Sequence, residues 1–254
     1  MRPRALVTGA SSGIGQAFAR SLASRGQSLV LVARRESRLE ALAQQLESQH
    51  GVSSEVLAAD LLEPDGLARV EERAGAADIG LLVNNAGFGG PGAFADQDIT
   101  YATQILRLNC EALMRLTHAA LGPMRARGDG AIVQVASLAA FQPSPYFAVY
   151  AATKAFVLSF SEAVHEEVRL EGVKVLTVCP GFTRTEFQTA NEANAEFLPE
   201  ALWSRPDQIV ETTLRSLDRT DAVLIPRWHD WLSASFSTMA PRKLVVAGAV
   251  GRKV

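Results

Sequence analysis

Hydrophobic positions along this chain follow two rhythms that alternate from one end to the other. Short apolar runs recur at Ala5–Thr8, Ser28–Ala33, Ser54–Ala58, Ile79–Asn84, Ala131–Ala136, Val173–Cys179 and Ala222–Ile225. Such runs, apolar without polar alternation, are what a strand buried on both faces requires. Between them the apolar residues move to helical spacing. Ile14–Arg25 carries Ile14, Phe18 and Leu22 four apart, and Gly26 stops it; Glu36–Gln49 repeats Leu39, Leu42 and Leu46. Further helices are predicted over Pro64–Ala76, Tyr101–Arg127, Ala148–Glu171 and Asp207–Arg219. Strand–helix alternation predicts a doubly wound α/β domain: a mostly parallel sheet of about seven strands with helices on both faces.

No linker rich in Gly, Pro or Ser and no fixed repeat divides the chain, so residues 1–254 read as one domain. The least regular long stretch, Gly181–Pro206, follows a strand end, where open α/β sheets bind ligands, and reads as a mobile substrate lid. A formal net charge of −2 supplies no field for nucleic acid or anionic lipid. Cys110 and Cys179 are the only cysteines and belong to no CxxC pair, which argues against a disulfide framework and suggests reduced thiols in a cytoplasmic protein. His50, His118, His165 and His229 are scattered, and no metal site is predicted. The N-terminus does not read as a signal peptide, and no apolar run reaches the length of a membrane span. The apolar stretch Leu244–Val250 reads as a buried terminal strand or a subunit contact.

Candidate chemistry begins at Thr8–Gly15, TGASSGIG, between the first strand and the first helix. Gly9 permits the tight turn, Gly13 lets the backbone approach a pyrophosphate, and Gly15 lets helix and strand pack closely. The N–H groups of a helix start favour an anion. This is a Rossmann-type dinucleotide cradle formed by Gly9, Ser11, Ser12, Gly13, Ile14 and Gly15. An acid that would accept the ribose 2′-OH of NAD is missing after the second strand; Ala33-Arg34-Arg35 stands there instead. A guanidinium fork suits the 2′-phosphate, so Arg34 predicts NADP(H) in preference to NAD(H).

Tyr150 and Lys154 form Y-x-x-x-K on a helical stretch, which places both on one face. A free tyrosine titrates near about 10, and a neighbouring ammonium is expected to lower that value. Ser137, at the end of a strand, is placed to hydrogen-bond a carbonyl oxygen and stabilise a developing alkoxide.

With these motifs in this order, the chain resembles the short-chain dehydrogenase/reductase family from Ala5 to about Phe187. The resemblance rests on Thr8–Gly15, Asp60, Asn84-Asn85-Ala86-Gly87, Asn109, Ser137, Tyr150, Lys154 and Pro180-Gly181 with Thr183. It implies that Asp60, with Leu61 beside it, meets the adenine, and that Asn84, Asn85, Ala86 and Gly87 line the cofactor cleft. It also implies that Asn109 helps to hold Lys154 and a proton-relay water, and that Lys154 binds the nicotinamide ribose. Pro180, Gly181 and Thr183 would hold the carboxamide. Tyr150 would be the general acid in reduction and the base in oxidation.

Phe88, Leu138, Phe141, Tyr146, Phe147, Phe182 and Phe187 surround the expected mouth and suggest a lipophilic ketone, aldehyde or secondary alcohol. Arg184 is the one cation there that could meet an acidic substrate. In the resembling family the two long helices often pair between subunits, which leads to the expectation of a homodimer or homotetramer. Two alternatives remain open. A non-catalytic dinucleotide sensor or scaffold would use the same fold, but it would not need Ser137, Tyr150 and Lys154. A sugar-nucleotide epimerase or dehydratase usually carries a larger C-terminal lobe.

Overall fold

The computed structural model describes residues 3–186, 199–219, 221–240 and 243. Seven parallel strands form one sheet in the order β3-β2-β1-β4-β5-β6-β7. They are β1 (Arg4–Thr8), β2 (Leu29–Ala33), β3 (Ser54–Ala58), β4 (Ile79–Asn84), β5 (Gly130–Val135), β6 (Val173–Val178) and β7 (Val223–Leu224). The helices are α1 (Gly13–Ser24), α2 (Glu36–His50), α3 (Pro64–Ala74), α4 (Ile99–Leu106), α5 (Leu113–Arg127), α6 (Ala148–Val168), α7 (Pro206–Ser216) and α8 (Trp228–Met239). The doubly wound, parallel architecture expected from the hydrophobic pattern is the one observed.

The continuous apolar strands follow from the two-sided sheet. Alternate residues of β1 and β2 go to opposite faces. Val7, Leu29 and Leu31 pack with Phe18, Leu22, Leu39, Leu46 and Val210 from α1, α2 and α7. Leu6, Val30 and Val32 pack with Val70, Leu116, Met124 and Val164 from α3, α5 and α6. The strand order reverses at β1, which β2 and β4 flank: Val7 opposes Leu31 of β2 on one side and Val83 of β4 on the other. The loops after β1 and β4 therefore diverge over a crevice at their carboxyl ends.

Two elements differ from the sequence-based expectation. The long helix predicted over Tyr101–Arg127 begins at Ile99, capped by the Asp98 side chain, and is interrupted by a π turn over Arg107–Ala112. Helix α8 has no counterpart among the predicted elements. Its large apolar residues Trp228, Trp231, Leu232, Phe236 and Met239 are exposed, and its buried residues are Asp230 and Ala234, so the pattern that marks a core-facing helix is inverted. The tail Leu244–Val250 and residues 187–198 of the expected lid lie outside the described residues.

Candidate active site

The turn after β1 is shaped by its contacts with the end of β4. Gly9 and Gly13 have φ of +66° and +55°, a region costly for any residue with a Cβ. A Cβ on Gly9 would lie 2.6 Å from Asn85 Nδ2, and one on Gly15 would lie 2.3 Å from the Gly9 carbonyl oxygen. Buried Thr8 joins the two loops. Its Oγ1 donates to Val83 O at 3.2 Å and accepts from the backbone N–H groups of Asn85 and Ala86, both at 3.0 Å. Asn85 Nδ2 donates to Thr8 O at 2.9 Å. The Asn85 side chain therefore braces the cradle, and only its backbone is left to line the cleft. Asn84 does not line it: its amide is buried beneath, donating to Thr117 Oγ1 and Gln134 Oε1, each at 3.1 Å. Ser12 precedes α1, whose first turn contains no acidic residue, so its amide end carries no counter-charge of its own.

At the adenosine end stands Arg34, the residue expected to meet the 2′-phosphate. That side chain is 74% exposed, and its Nη1 stands 3.9 Å from Asp60 Oδ2. Arg35 reaches the glycine turn instead, with Nε and Nη2 donating to Ser11 Oγ at 3.1 and 2.9 Å. Its neighbour Arg34 carried the obvious sequence signal; nothing but the direction of the chain entering α2 selects Arg35. Asp60 Oδ1 accepts from Leu62 N at 3.0 Å, which shapes the loop after β3 and leaves Oδ2 toward Arg34. Leu61 is buried in the core on the α3 side, so its side chain packs rather than faces a ligand.

The polar centre lies where β5 and α6 meet. Ser137 caps the 3-10 turn Leu138–Phe141, its Oγ accepting from Ala139 N at 3.1 Å, and it hydrogen-bonds Tyr150. Burial pushes the Tyr150 hydroxyl up to about 12, and the bond to Ser137 offsets part of that rise. Lys154 is buried, and its Nζ donates to Val135 O at 2.8 Å. That amine lies 5.7 Å from the centre of the Tyr150 ring, and burial holds it down to about 8. The ammonium was expected to depress the tyrosine; burial raises it instead, and the phenol stays protonated at neutral pH. Burial also raises the Cys110 and Cys179 thiols to about 11 and about 12, so neither is a nucleophile.

Asn109 sits within the π turn and is buried. Its Nδ2 donates to Phe88 O at 2.8 Å and Thr153 Oγ1 at 3.0 Å, and its Oδ1 accepts from Phe88 N at 3.0 Å. It therefore ties the loop after β4 to α6, while Lys154 bonds elsewhere. Contact between the two is indirect: a Cβ on Gly87 would lie 2.9 Å from Asn109 Oδ1 and 3.7 Å from Lys154 Nζ.

After β6, Pro180 O accepts from Leu138 N at 3.0 Å, which fastens this loop to the Ser137 segment. Thr183 is buried and spends its hydroxyl on Gly181 O at 2.9 Å. Thr185 is the threonine that approaches the cradle, its Cγ2 lying 3.1 Å from where a Gly13 Cβ would be. The sequence pointed to Thr183, and Thr185 was missed; a bridge pairs Thr183 with Ser204. Asp230 of α8 was not anticipated. Its carboxylate lies 2.7–2.9 Å from the position of a Gly181 Cβ, which explains the glycine, and burial raises its pKa.

The apolar residues expected at the mouth have different partners. Phe147 lies edge-on to Tyr150 at 6.5 Å, Phe88 packs on Tyr101 at 5.5 Å, and half-exposed Phe182 meets Trp203 at 5.9 Å. Tyr146, exposed, adopts φ +66° in the loop leading to α6. Phe141 instead packs into a small core with Leu113, Val157 and Cys179. Phe187 lies outside the described residues. Arg184 is engaged by Glu200 and stacks 5.3 Å over Trp203, so it is not a free cation for an acidic substrate. Among the described residues no cluster of metal ligands occurs, and no helix is long and apolar enough to cross a membrane.

Comparison with known proteins agrees with this geometry. The family model described as short chain dehydrogenase matches residues 3–196. The chain belongs to the short-chain dehydrogenase family. The chain is 38% identical to the short-chain dehydrogenase from Sphingobium yanoikuyae in complex with NADPH, with a TM-score of 0.87 over 99% of this chain and 96% of that one. It is 34% identical to the bulky-bulky ketone specific alcohol dehydrogenase from Comamonas testosteroni, with a TM-score of 0.81 over 99% and 95% of the two chains. It is also 34% identical over 222 residues to the very-long-chain 3-oxoacyl-CoA reductase of Phaeosphaeria nodorum, covering 85% of this chain and 63% of that protein. The chain spans about three fifths of the length of such curated relatives.

Proposed function

We propose that this chain is an NADP(H)-dependent carbonyl reductase acting on a lipophilic, bulky ketone or aldehyde. The observation that carries the proposal is the hydrogen-bonded pair of Ser137 and Tyr150 on the Lys154 side of α6. A protonated tyrosine hydrogen-bonded to Ser137 can donate a proton to a carbonyl oxygen. The cofactor reading rests on the cradle. Gly9 and Gly15 leave spaces that a Cβ would fill, α1 begins without an acid, and Arg35 lies on Ser11 with Arg34 and Asp60 beside it.

In this assignment Gly9, Ser11, Ser12, Gly13, Ile14 and Gly15 hold the pyrophosphate. Arg35 and Arg34 hold the 2′-phosphate, and Asp60 meets the adenine. The backbone of Asn85, Ala86 and Gly87 lines the cleft, and Pro180, Gly181, Thr183 and Thr185 border the nicotinamide. When bound, the nicotinamide supplies the hydride. Tyr150 donates the proton, and Ser137 holds the carbonyl oxygen and stabilises the charge that develops on it. Lys154 lends positive charge from beneath Tyr150 and binds the nicotinamide ribose. Asn109 positions the π turn and α6 relative to the loop after β4.

The bulky-ketone substrate class is favoured because the ketone-specific alcohol dehydrogenase from Comamonas testosteroni matches nearly full length, whereas the acyl-CoA reductase is much longer. Phe88, Phe147 and Phe182 would supply the apolar walls. Exposed Leu106, Met114 and Phe156 on α4, α5 and α6 support a homodimer or homotetramer, and the two unpaired cysteines support a cytoplasmic location. The test is a ketone panel run with NADPH for the wild type and Tyr150→Phe. We expect the wild type to oxidise NADPH fastest with bulky lipophilic ketones. The variant should retain cofactor binding and lose about 10²–10⁴-fold in rate, the range for a general acid. Undiminished turnover in the variant would remove Tyr150 from the chemistry.

A further inference from the structure

Three guanidinium groups, Arg34, Arg35 and Arg38, lie within five residues at the start of α2, and an acidic side chain from the opposite loop already holds two of them. Glu186 Oε2 accepts from Arg35 Nη1 at 2.9 Å, and Glu186 Oε1 accepts from Arg38 Nη1 at 2.6 Å. The remaining donors of Arg35, Nε and Nη2, lie on Ser11 Oγ at the rim of the glycine turn. The two arginines hold the Glu186 carboxyl below its usual range, so it is an anion across the neutral pH range. Glu186 follows Thr185, whose methyl group faces Gly13, and this places the carboxylate beside the cradle. One anion bridging two guanidinium groups is also how arginines recognise a phosphate monoester.

We propose that Glu186 is a specificity-determining residue: an internal anion seated on Arg35 and Arg38 that competes with the 2′-phosphate of NADP(H) for Arg35. The N–H donors are shared, so the two anions compete. A phosphate joining the carboxylate on Arg35 would add like-charge repulsion. Glu186 thereby weakens binding of the phosphorylated cofactor and leaves the unphosphorylated one unaffected, which narrows the preference that the arginines create. This inference rests on the NADP(H) reading above.

The test needs no turnover. Adenosine 2′,5′-bisphosphate and AMP are titrated by calorimetry into the full-length wild type, Glu186→Gln and Arg35→Ala at low ionic strength. If Glu186 competes, Glu186→Gln binds the bisphosphate about fivefold more tightly, the scale of a half-exposed charge interaction, and binds AMP as the wild type does. Its affinity for the bisphosphate also falls more steeply with added salt, because fuller neutralisation of the phosphate makes binding more sensitive to screening. Unchanged or weaker bisphosphate binding in Glu186→Gln overturns the proposal, weaker binding meaning that Glu186 aligns the arginines. Wild-type protein that binds AMP and the bisphosphate equally overturns the NADP(H) reading itself. Arg35→Ala is expected to abolish the preference for the bisphosphate; if it is retained, the phosphate lies elsewhere and the proposal also fails.

Discussion

At the scale of single residues, Lys154 and Tyr150 illustrate how burial governs this site. The Lys154 amine is held down to about 8 by burial, from 10.5. Between those values the unfolded chain binds more protons than the folded one, so this group makes stability rise with pH across the window. Below about pH 8 the buried ammonium is a standing cost. Lys154→Met should therefore melt above the wild type near neutral pH, with the gap narrowing toward about pH 10; a gap independent of pH would show that the amine does not titrate there. Activity depends on the same proton in the opposite sense. If the ammonium is needed, NADPH-dependent reduction should fall as pH rises through about 8, while Tyr150, raised to about 12, stays protonated. A profile flat across that region would exclude a role for the lysine charge.

At the scale of elements, the β1–α1 turn and the π turn do the positioning. Gly15→Ala would drive a methyl group to 2.3 Å from the Gly9 carbonyl, and only movement of α1 away from β1 relieves that contact. We expect a loss of about 1–3 kcal/mol in chemical denaturation together with loss of nucleotide binding. Wild-type affinity in this variant would mean that the cradle tolerates a shifted helix. The Thr8 hydroxyl offers a parallel test. It is buried and joins the loops after β1 and β4. Thr8→Val keeps the shape and orphans two backbone N–H groups, so it should cost about 1–3 kcal/mol and weaken cofactor binding; an unperturbed variant would show that water replaces the hydroxyl. The π turn was illegible in advance, because Leu106, Leu113 and Leu116 suit an uninterrupted helix as well. Only its side chains' partners, Phe88 and Thr153 for Asn109, reveal why the chain departs from the regular ladder.

At the scale of the whole molecule, the sheet is buried on both faces, and that makes its centre unforgiving. Phe18 is fully buried between α1 and the β1–β2 surface. Phe18→Ala should lower stability by about 3–5 kcal/mol in urea titration, and a loss below about 1 kcal/mol would mean that the core closes over the cavity. The same two-sidedness made the fold legible. Leu29–Ala33 could be read as a buried parallel strand because every position had to be apolar. Helix α8 obeys no such rule: it turns Trp228, Trp231, Leu232 and Phe236 to the surface and Asp230 inward, so its periodicity carried no usable signal.

Local spacing determined much of this protein. Alternating strand and helix periods specified the parallel sheet, the glycines specified the cradle, and Y-x-x-x-K placed Tyr150 and Lys154 on one face. These are properties of neighbouring residues, and backbone geometry makes them readable along the chain. Only the tertiary structure decided which arginine meets Ser11, which threonine faces Gly13, that Asn84 is buried while Asn85 braces the turn, and that Glu186 is seated on Arg35 and Arg38. Each of those outcomes depends on partners far apart in sequence. The pKa directions at Tyr150 and Lys154 belong to the same class, because desolvation depends on everything packed around a group and not on the residues beside it.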